Sequence, residues 1–449
     1  MASKFTALAR TFRFIGYIVV VSVPLLVEHA GEIPEKDAHP PPLYRLSNLV
    51  LHAPIGYDAV TRLGFRHAMP HLVQIVRVRD QQIMSLPVCQ KRLFLAKLVK
   101  AVEEIHPSLI ALDIWFPQNA CPSNDPGTDA LLESIQGSSV PIVVSMETYP
   151  PSEFAKIAND QTANKGDDRP VVSEAQFEQT RTGRLVLGRD LTFRSESHKN
   201  GPGNVMLVNV GLVRIAADIK KIPLTWPVYE VQPNGDLGDV RVMPSLSLVA
   251  AETYEREISN GRVSSRLRDL VDAEAFPYIT SLSPEKSAGA PNGIPVTDAL
   301  KLVCGSLPAA DWTRCGAENR SALVSVAPIV MISQWTSSDV HGDPPMPGDV
   351  LQANYMEALL EESYIAPVPE RSTLVLNICW ILLVEVIFFI WPTPRAVKYA
   401  VFATLAILGI TYFILLEWGY FLVFWTLALA VISPMVRYFE ELKHVLVHG

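Results

Sequence analysis

Leu72-Val-Gln-Ile-Val-Arg-Val-Arg79 alternates apolar and polar side chains, and Ser108-Leu-Ile-Ala-Leu-Asp-Ile-Trp-Phe116 is an apolar run rich in branched side chains. Both patterns predict β-strands, and the apolar segment Val140–Met146 predicts a third. Between them, Gln90–His106 has apolar residues along one helical face and is followed by a proline, which predicts a helix. Asp129–Ile135 predicts a shorter helix. The order β-α-β-α-β is typical of an α/β domain with a largely parallel sheet and right-handed crossovers.

The rest of the central domain continues this pattern with less regular spacing. Residues Tyr149–Gly203 are polar and rich in Asp, Glu, Lys, Asn and Pro, which predicts a loop region, and Ser281–Gly293 predicts another loop. The core is predicted to resume with Asn204–Ile215 and Pro223–Val231. Further elements are predicted as a strand at Ala327–Ile332 and as helices at Pro244–Ile258 (with proline at its first position) and Leu351–Glu362. We therefore expect residues 40–367 to form the α/β domain.

Acidic residues follow the predicted strands. Asp80, Asp113 and Glu147 fall at or near the carboxyl ends of three strands, the edge at which open α/β sheets bind ligands. Asp339 and His341 lie close together in a later segment and offer further donors for a ligand, although no metal ion is assigned to them. Acids at such positions also cap helices and complete turns, so a structural role is the alternative for these residues.

The apolar residues of the chain are concentrated at its two ends. Near the start, the apolar segment Phe12–Val27 has three basic residues before it or at its beginning, Lys4, Arg10 and Arg13, which predicts a transmembrane anchor within residues 1–30. A cleaved signal peptide has the same basic start and apolar centre. Glu28 lies where a small residue would precede cleavage after Ala30, so an uncleaved anchor is the favoured interpretation.

Three further transmembrane helices are predicted at Leu374–Trp391, Val397–Leu415 and Tyr420–Pro434, so that residues 372–436 form a three-helix bundle. Basic residues lie in the first connection and after the last span, which places both chain ends in the cytoplasm and the α/β domain outside. The predicted protein is a multi-pass protein of the inner (plasma) membrane with a periplasmic or external domain. Its cytoplasmic tail is residues 437–449.

Four of the five cysteines fall in the predicted outer domain, where an oxidising compartment permits disulfides. Cys304 and Cys315 flank a small loop and are the favoured pair. Cys89 begins the first crossover helix and Cys121 follows the second strand, so both are expected at the same sheet edge and could bond. Free thiols are the alternative, because connectivity cannot be deduced from sequence.

Composition and motifs exclude several classes of function. The net charge is −8 and the chain has no basic run, which argues against a nucleic-acid partner. A phosphate-binding glycine loop, a Gly-x-Ser-x-Gly elbow and a His-Glu-x-x-His helix are absent from the sequence. The sequence therefore predicts a protein that is not an enzyme and uses no cofactor.

Four stretches of the chain resemble the sequences of a known domain family. They are the opening strand ending at Asp80, the second strand Ala111–Pro117, the central Asp218–Leu224 with Pro244–Leu248, and the closing Asp339–Asn354. Together they span roughly residues 40 to 367 and resemble the CHASE type 2 extracellular sensory domain of bacterial and cyanobacterial receptors. The resemblance implies a ligand sensor, usually joined to a cytoplasmic histidine kinase, nucleotide cyclase or serine/threonine kinase, and it transfers no ligand-binding residues.

The leading hypothesis is a membrane-bound sensor subunit that passes an extracytoplasmic signal through its transmembrane helices to a separate cytoplasmic or membrane partner. About fifteen residues follow the last predicted span, too few for an output domain with its own core. A structural or assembly subunit of an envelope complex is the alternative. The expected partners are the lipid bilayer, an unidentified outer ligand, an output protein and, in a homodimer, a second copy of the chain.

Overall fold

The computed structural model describes residues 71–146, 184–194, 204–231, 237–306 and 327–368, with short gaps inside these ranges, and scattered positions between 372 and 421. The chain divides into a unit of residues 66–364, which contains the α/β domain, and a unit of residues 1–65 with 365–449. Among the described residues, no helix combines the length and apolar character needed to cross a membrane. The four transmembrane helices predicted from sequence lie wholly or partly outside the described residues and stay predictions.

The described part of the chain contains helices and strands with the following bounds. The helices are α1 (Gln81–Met84), α2 (Val88–Glu103), α3 (Pro126–Gln136), α4 (Leu246–Ile258), α5 (Ser265–Asp272), α6 (Ala299–Ser306) and α7 (Gly348–Leu360). The strands are β1 (Val73–Val78), β2 (Leu109–Asp113), β3 (Ile142–Met146), β4 (Arg184–Gly188), β5 (Phe193–Arg194), β6 (Asn204–Leu212), β7 (Thr225–Val231), β8 (Leu237–Pro244), β9 (Tyr278–Ile279), β10 (Val296–Asp298), β11 (Ile329–Gln334), β12 (Val340–His341), β13 (Met346–Pro347), β14 (Tyr364–Pro367) and β15 (Tyr420–Phe421).

The main sheet confirms the prediction of an α/β fold with mostly parallel strands. Within the described residues it has eight strands in the order β10-β1-β11-β2-β3-β6-β4-β5. The strands from β10 to β6 pair in parallel, whereas β4 and β5 are added antiparallel at one edge. Strand β11, which comes late in the chain, lies between β1 and β2. The carboxyl ends of the parallel strands therefore meet at one edge of the sheet.

One face of the sheet is covered by α2, α3 and α6 and is apolar. Its strands contribute alternate residues such as Val76, Val78 and Ile332, which share a continuous core with the buried side of α2. Helix α3 begins where Asp125 caps it, since its carboxylate accepts the Thr128 backbone N–H at 2.7 Å. This cap and the proline at the first turn explain why the helix starts earlier than its apolar pattern alone predicts.

The opposite face carries α4 and α7. The sequence assigned Pro244 to the first position of α4, and this is wrong: Pro244 ends β8, and Ser245 caps the helix by accepting the Leu248 N–H at 3.2 Å.

Gly211 of β6 lies against the start of α4. A Cβ at that position would come within 2.6 Å of the Leu246 nitrogen and 2.7 Å of the Ser245 carbonyl oxygen, so the strand and the helix can approach this closely only at glycine.

The interpretation of Tyr149–Gly203 as a loop region is wrong for part of its length. Strands β4 and β5 lie within it, and β4 pairs with β6 through Leu185, Val186 and Leu187, which are buried. This short apolar group is surrounded by polar sequence, so its strand character was hidden. The antiparallel pairing with β6 supplies the burial that the isolated segment does not predict.

A disulfide joins Cys89, at the start of α2, to Cys121, with a Cα–Cα distance of 5.7 Å. This is a pairing that the sequence allowed. Cys304 is also disulfide-bonded, and Cys315, the partner favoured from sequence, lies outside the described residues. Cys379 is a free cysteine.

Candidate functional site

At the carboxyl edge of the sheet, the chain leaves the neighbouring strands β1 and β11 toward opposite faces. The first long helix after β1, α2, packs in the apolar core on one face. The helix that follows β11, α7, packs on the other face, against β1 and α4. Chain connections that leave neighbouring strands toward opposite faces create a crevice at their carboxyl ends, which is the usual ligand position in open α/β sheets. We therefore take this edge, together with α7, as the candidate site.

Helix α7 is enclosed by protein along nearly its whole length. Its residues from Gly348 to Leu359 are all buried. Four of them are polar or charged, Asp349, Gln352, Asn354 and Glu357, and each is at most 7% exposed. Burying polar groups is costly unless each finds a partner, so the contacts of these four side chains fix the position of the helix.

The first turn of α7 begins beside the carboxylate of Asp339. The Gly348 N–H donates to the Asp339 backbone carbonyl at 3.1 Å. A Cβ on Gly348 would lie 2.5 Å from the Asp339 Oδ2 atom, so glycine is required for this close approach. A carboxylate at this position also interacts favourably with the positive end of the helix dipole.

Arg77 of β1 is the centre of a buried ionic cluster at the first turn of α7. Its Nε and Nη2 atoms donate to the two carboxylate oxygens of Asp349 at 2.7 and 2.9 Å, and its Nη1 atom donates to Glu285 at 2.8 Å. Ser333 of β11 donates its hydroxyl to the same Asp349 carboxylate at 2.8 Å. The cluster thus joins two neighbouring strands, one loop and α7 through paired charges.

The electrostatics of the cluster keep Arg77 charged. Burial lowers the pKa of this guanidinium, but the hydrogen bonds and charges of Asp349 and then Glu285 outweigh burial and leave the pKa above its usual value. Asp349 also accepts the Val350 backbone N–H at 2.8 Å. The Asp349 carboxylate therefore has three neighbours that donate to it, as a buried charge needs.

The outer part of the cluster reaches solvent. The Glu285 side chain is 36% exposed, compared with 5% for Arg77. Near it on the sheet edge, Arg79 bonds Asp298 at 2.9 Å, and the Arg79 side chain is 54% exposed. Strand β1 thus carries a buried arginine, and an exposed arginine follows directly after the strand, each paired with acids.

The middle of α7 is held by neutral hydrogen bonds. Gln352 accepts the Ser247 hydroxyl of α4 at 2.6 Å. Asn354 accepts the Ser283 backbone N–H at 2.6 Å and donates to the Ser283 carbonyl at 2.8 Å. These bonds join α7 to the helix beside it and to the loop that carries Glu285.

The last turn of α7 is tied to the start of β1. Glu357 accepts the Val73 backbone N–H at 3.1 Å and contacts His71 Nδ1 at 3.0 Å. The other ring nitrogen of His71, Nε2, lies 2.7 Å from the Asn292 carbonyl oxygen. The helix is therefore bound to β1 at both of its ends, by Arg77 at the first and by Val73 at the second, where His71 just before the strand adds a further contact.

The structure brings together only part of the site set predicted from sequence. Asp113 is the last residue of β2 and lies opposite Ser333 of β11 in the strand pairing, and Ser333 in turn lies opposite Arg77 of β1. Asp339 and His341 form a pair, with Oδ1 and Nε2 2.7 Å apart, beside the start of α7. Asp80 and Glu147 lie outside the described residues.

Sequence reasoning missed the residues that hold α7, namely Arg77, Glu285, Ser333, Asp349, His71 and Glu357. One signal was present, because Arg77 interrupts a strand that is otherwise suited to burial on both faces. A charge in such a strand requires a partner. The partner itself is 272 residues away in the chain and has no local pattern that points to it.

Comparison with known proteins identifies the family. The family model of the CHASE2 domain matches residues 45–388, which cover all of the elements from β1 to β14. No curated protein and no solved structure matches the chain. Since the family model covers about three quarters of the sequence, the chain belongs to the CHASE2 domain family, a family of sensory domains.

Proposed function

We propose that this chain is a membrane-bound sensor subunit in which α7 carries the state of the outer domain to the C-terminal segment. The observation that carries the proposal is the enclosure of α7, which is bound at both ends to β1 and is followed directly by β14 and the C-terminal segment. A stimulus that alters the contacts of this helix would shift the population of its positions. The membership in a sensory family supports a role in detection.

The stimulus is proposed to act at the carboxyl edge of the sheet. Asp113, Asp339 and His341 belong to this edge or to its neighbourhood, and Glu285 connects the solvent to the buried Arg77. A ligand that competes for Glu285 or for the Asp339–His341 pair would act on the first turn of α7. Asp80 and Glu147 belong to the same proposed site on sequence grounds. This role is binding, and no catalytic step is proposed.

The transmembrane arrangement is also part of the proposal. One N-terminal and three C-terminal spans would anchor the domain in the plasma membrane, with both ends of the chain inside and a separate protein as the output. Single cysteines placed between residues 392 and 398 and at residues 417–419, in a chain with Cys379 replaced, test this topology. In intact cells a membrane-impermeant maleimide should label only the second group. Labelling of the first group would contradict the orientation.

The signalling step can be tested without knowing the ligand, because a variant can loosen α7. Arg77→Met removes the buried guanidinium, and Arg79→Met, just after the same strand, is the matched control. Spin labels near Trp391 and Arg437 in the full chain, reconstituted in lipid nanodiscs, report the spacing of the C-terminal spans. We expect the distance distribution to change in Arg77→Met and to remain that of the parent in Arg79→Met. An unchanged distribution in a folded Arg77→Met protein would count against transmission through α7.

A further inference from the structure

Both ring nitrogens of His71 face oxygen atoms that accept hydrogen bonds. These two contacts together need one more proton than a neutral histidine supplies. His71 Nδ1 lies 3.1 and 3.0 Å from the two carboxylate oxygens of Glu357, and Nε2 lies 2.7 Å from the Asn292 carbonyl oxygen. A carbonyl oxygen and a carboxylate oxygen only accept hydrogen bonds, whereas a neutral imidazole has one N–H donor and one acceptor nitrogen. Both contacts are satisfied only when the His71–Glu357 pair carries an additional proton.

The pair needs this additional proton whichever of its atoms holds it. With the proton on the ring, both nitrogens donate, one to Glu357 and one to Asn292. With the proton on Glu357, the carboxylic acid donates to Nδ1 and Nε2–H donates to the carbonyl. Loss of the proton in either case leaves a ring lone pair facing an oxygen lone pair, which replaces an attraction by a repulsion.

The His71–Glu357 pair lies mostly out of contact with solvent. The side chains of His71 and Glu357 are 18% and 10% exposed, so solvent screens their interaction only in part. The loop 292–295 contributes no charged side chain. Charged side chains on other described segments near this junction include Glu255 and Arg262, which line a cleft of about 480 Å³ beside Leu72, and Glu285 and Lys286, whose segment is hydrogen-bonded to Ile294. These groups carry both signs of charge.

We propose that His71 and Glu357 form a proton-dependent tie that joins the start of β1 to the last turn of α7. Both hydrogen bonds of this tie form only in the protonated state. The stability that they give to the last turn of α7 is therefore present at mildly acidic pH and is lost as the pH rises and the proton leaves. Histidine is the side chain whose charge ordinarily changes between pH 5 and 8. The inference concerns the outer domain itself and does not require the proposed signalling role.

The test is hydrogen exchange of the full chain at pH 6 and pH 8, corrected for the intrinsic pH dependence of exchange and followed in peptides from the last turns of α7. We expect wild-type protection to fall about tenfold between these pH values, as the loss of a hydrogen bond to a charged group implies. His71→Gln should give low protection at both values. His71→Arg supplies a permanent charge with several donors and should retain protection at pH 8.

His341→Gln is the matched control, because His341 also contacts a carboxylate, that of Asp339, but at the start of α7. It should keep the wild-type pH dependence in the last turns of the helix. A wild-type pH dependence that persists in His71→Gln would overturn the proposal, as would constant protection of the wild-type protein from pH 6 to pH 8. Because His71→Arg is expected to gain protection at pH 8, the test does not depend on the folding of the glutamine variant.

Discussion

Replacing Arg77 by methionine tests the ionic cluster at the first turn of α7. Methionine fills most of the space of the aliphatic part of arginine but has no charge and no N–H donor. Asp349, which is 4% exposed, would keep its bonds from Ser333 and Val350 but lose its counter-charge. Glu285 is 36% exposed and can turn toward water, so most of the cost should come from Asp349.

The expected magnitude follows from the burial of the pair. Removing one partner of a buried ion pair costs about 3–5 kcal/mol, because the remaining charge stays buried without compensation. Arg79→Met is the control, since the Arg79 side chain is 54% exposed and a surface pair of this kind contributes about 0–1 kcal/mol. The double variant Arg77→Met/Asp349→Leu removes the uncompensated charge as well and should recover most of the stability, because apolar replacement of a whole buried pair is often neutral.

Urea unfolding followed by circular dichroism, with hydrogen exchange in peptides from α7, measures these differences in the full chain. The expected order of stability is parent, then Arg79→Met close to it, then the double variant, with Arg77→Met lowest. The reasoning is refuted if Arg77→Met loses no more stability than Arg79→Met. It is also refuted if adding Asp349→Leu to Arg77→Met lowers the stability further.

Three other features of the domain give predictions for the same unfolding assay. Gly211→Ala should destabilise the domain by about 1–3 kcal/mol, because the added Cβ meets the backbone at the start of α4, and an unchanged urea midpoint would contradict this close contact. Hydrogen bonds from the Ser139 backbone and side chain lower the pKa of Glu103, so its stabilisation is present above the pKa of an unfolded-state glutamate and is lost as the pH falls through the lower folded-state pKa. Glu103→Gln should therefore reduce the loss of stability on acidification, and an acid limb identical to that of the parent would contradict this. Replacing both Cys89 and Cys121 by serine opens a cross-link between residues 32 apart and should cost about 3–4 kcal/mol under non-reducing conditions, in which the disulfide of Cys304 stays intact. An unchanged urea midpoint would contradict this cost.

The sequence alone was sufficient for the elements whose patterns are local. Strands β1, β2 and β3 and helices α2 and α3 all occur where alternation, apolar runs or a helical face predicted them, with ends displaced by a few residues. Asp113 was correctly assigned to the carboxyl end of its strand. Periodicity predicts such features because each element must bury one side, or both sides, of its own segment. The resemblance seen in the closing stretch Asp339–Asn354 was confirmed by the match to the CHASE2 family.

Only the tertiary structure decided the strand order and the contacts that hold α7. The insertion of β11 between β1 and β2 depends on a pairing between segments that are far apart in the chain, and no period within either segment specifies its neighbour. The same is true of Arg77 with Asp349 and of His71 with Glu357, which is 286 residues away. A buried charge shows in the sequence that a partner must exist, but the position of that partner is set when the whole sheet and its covering helices pack together.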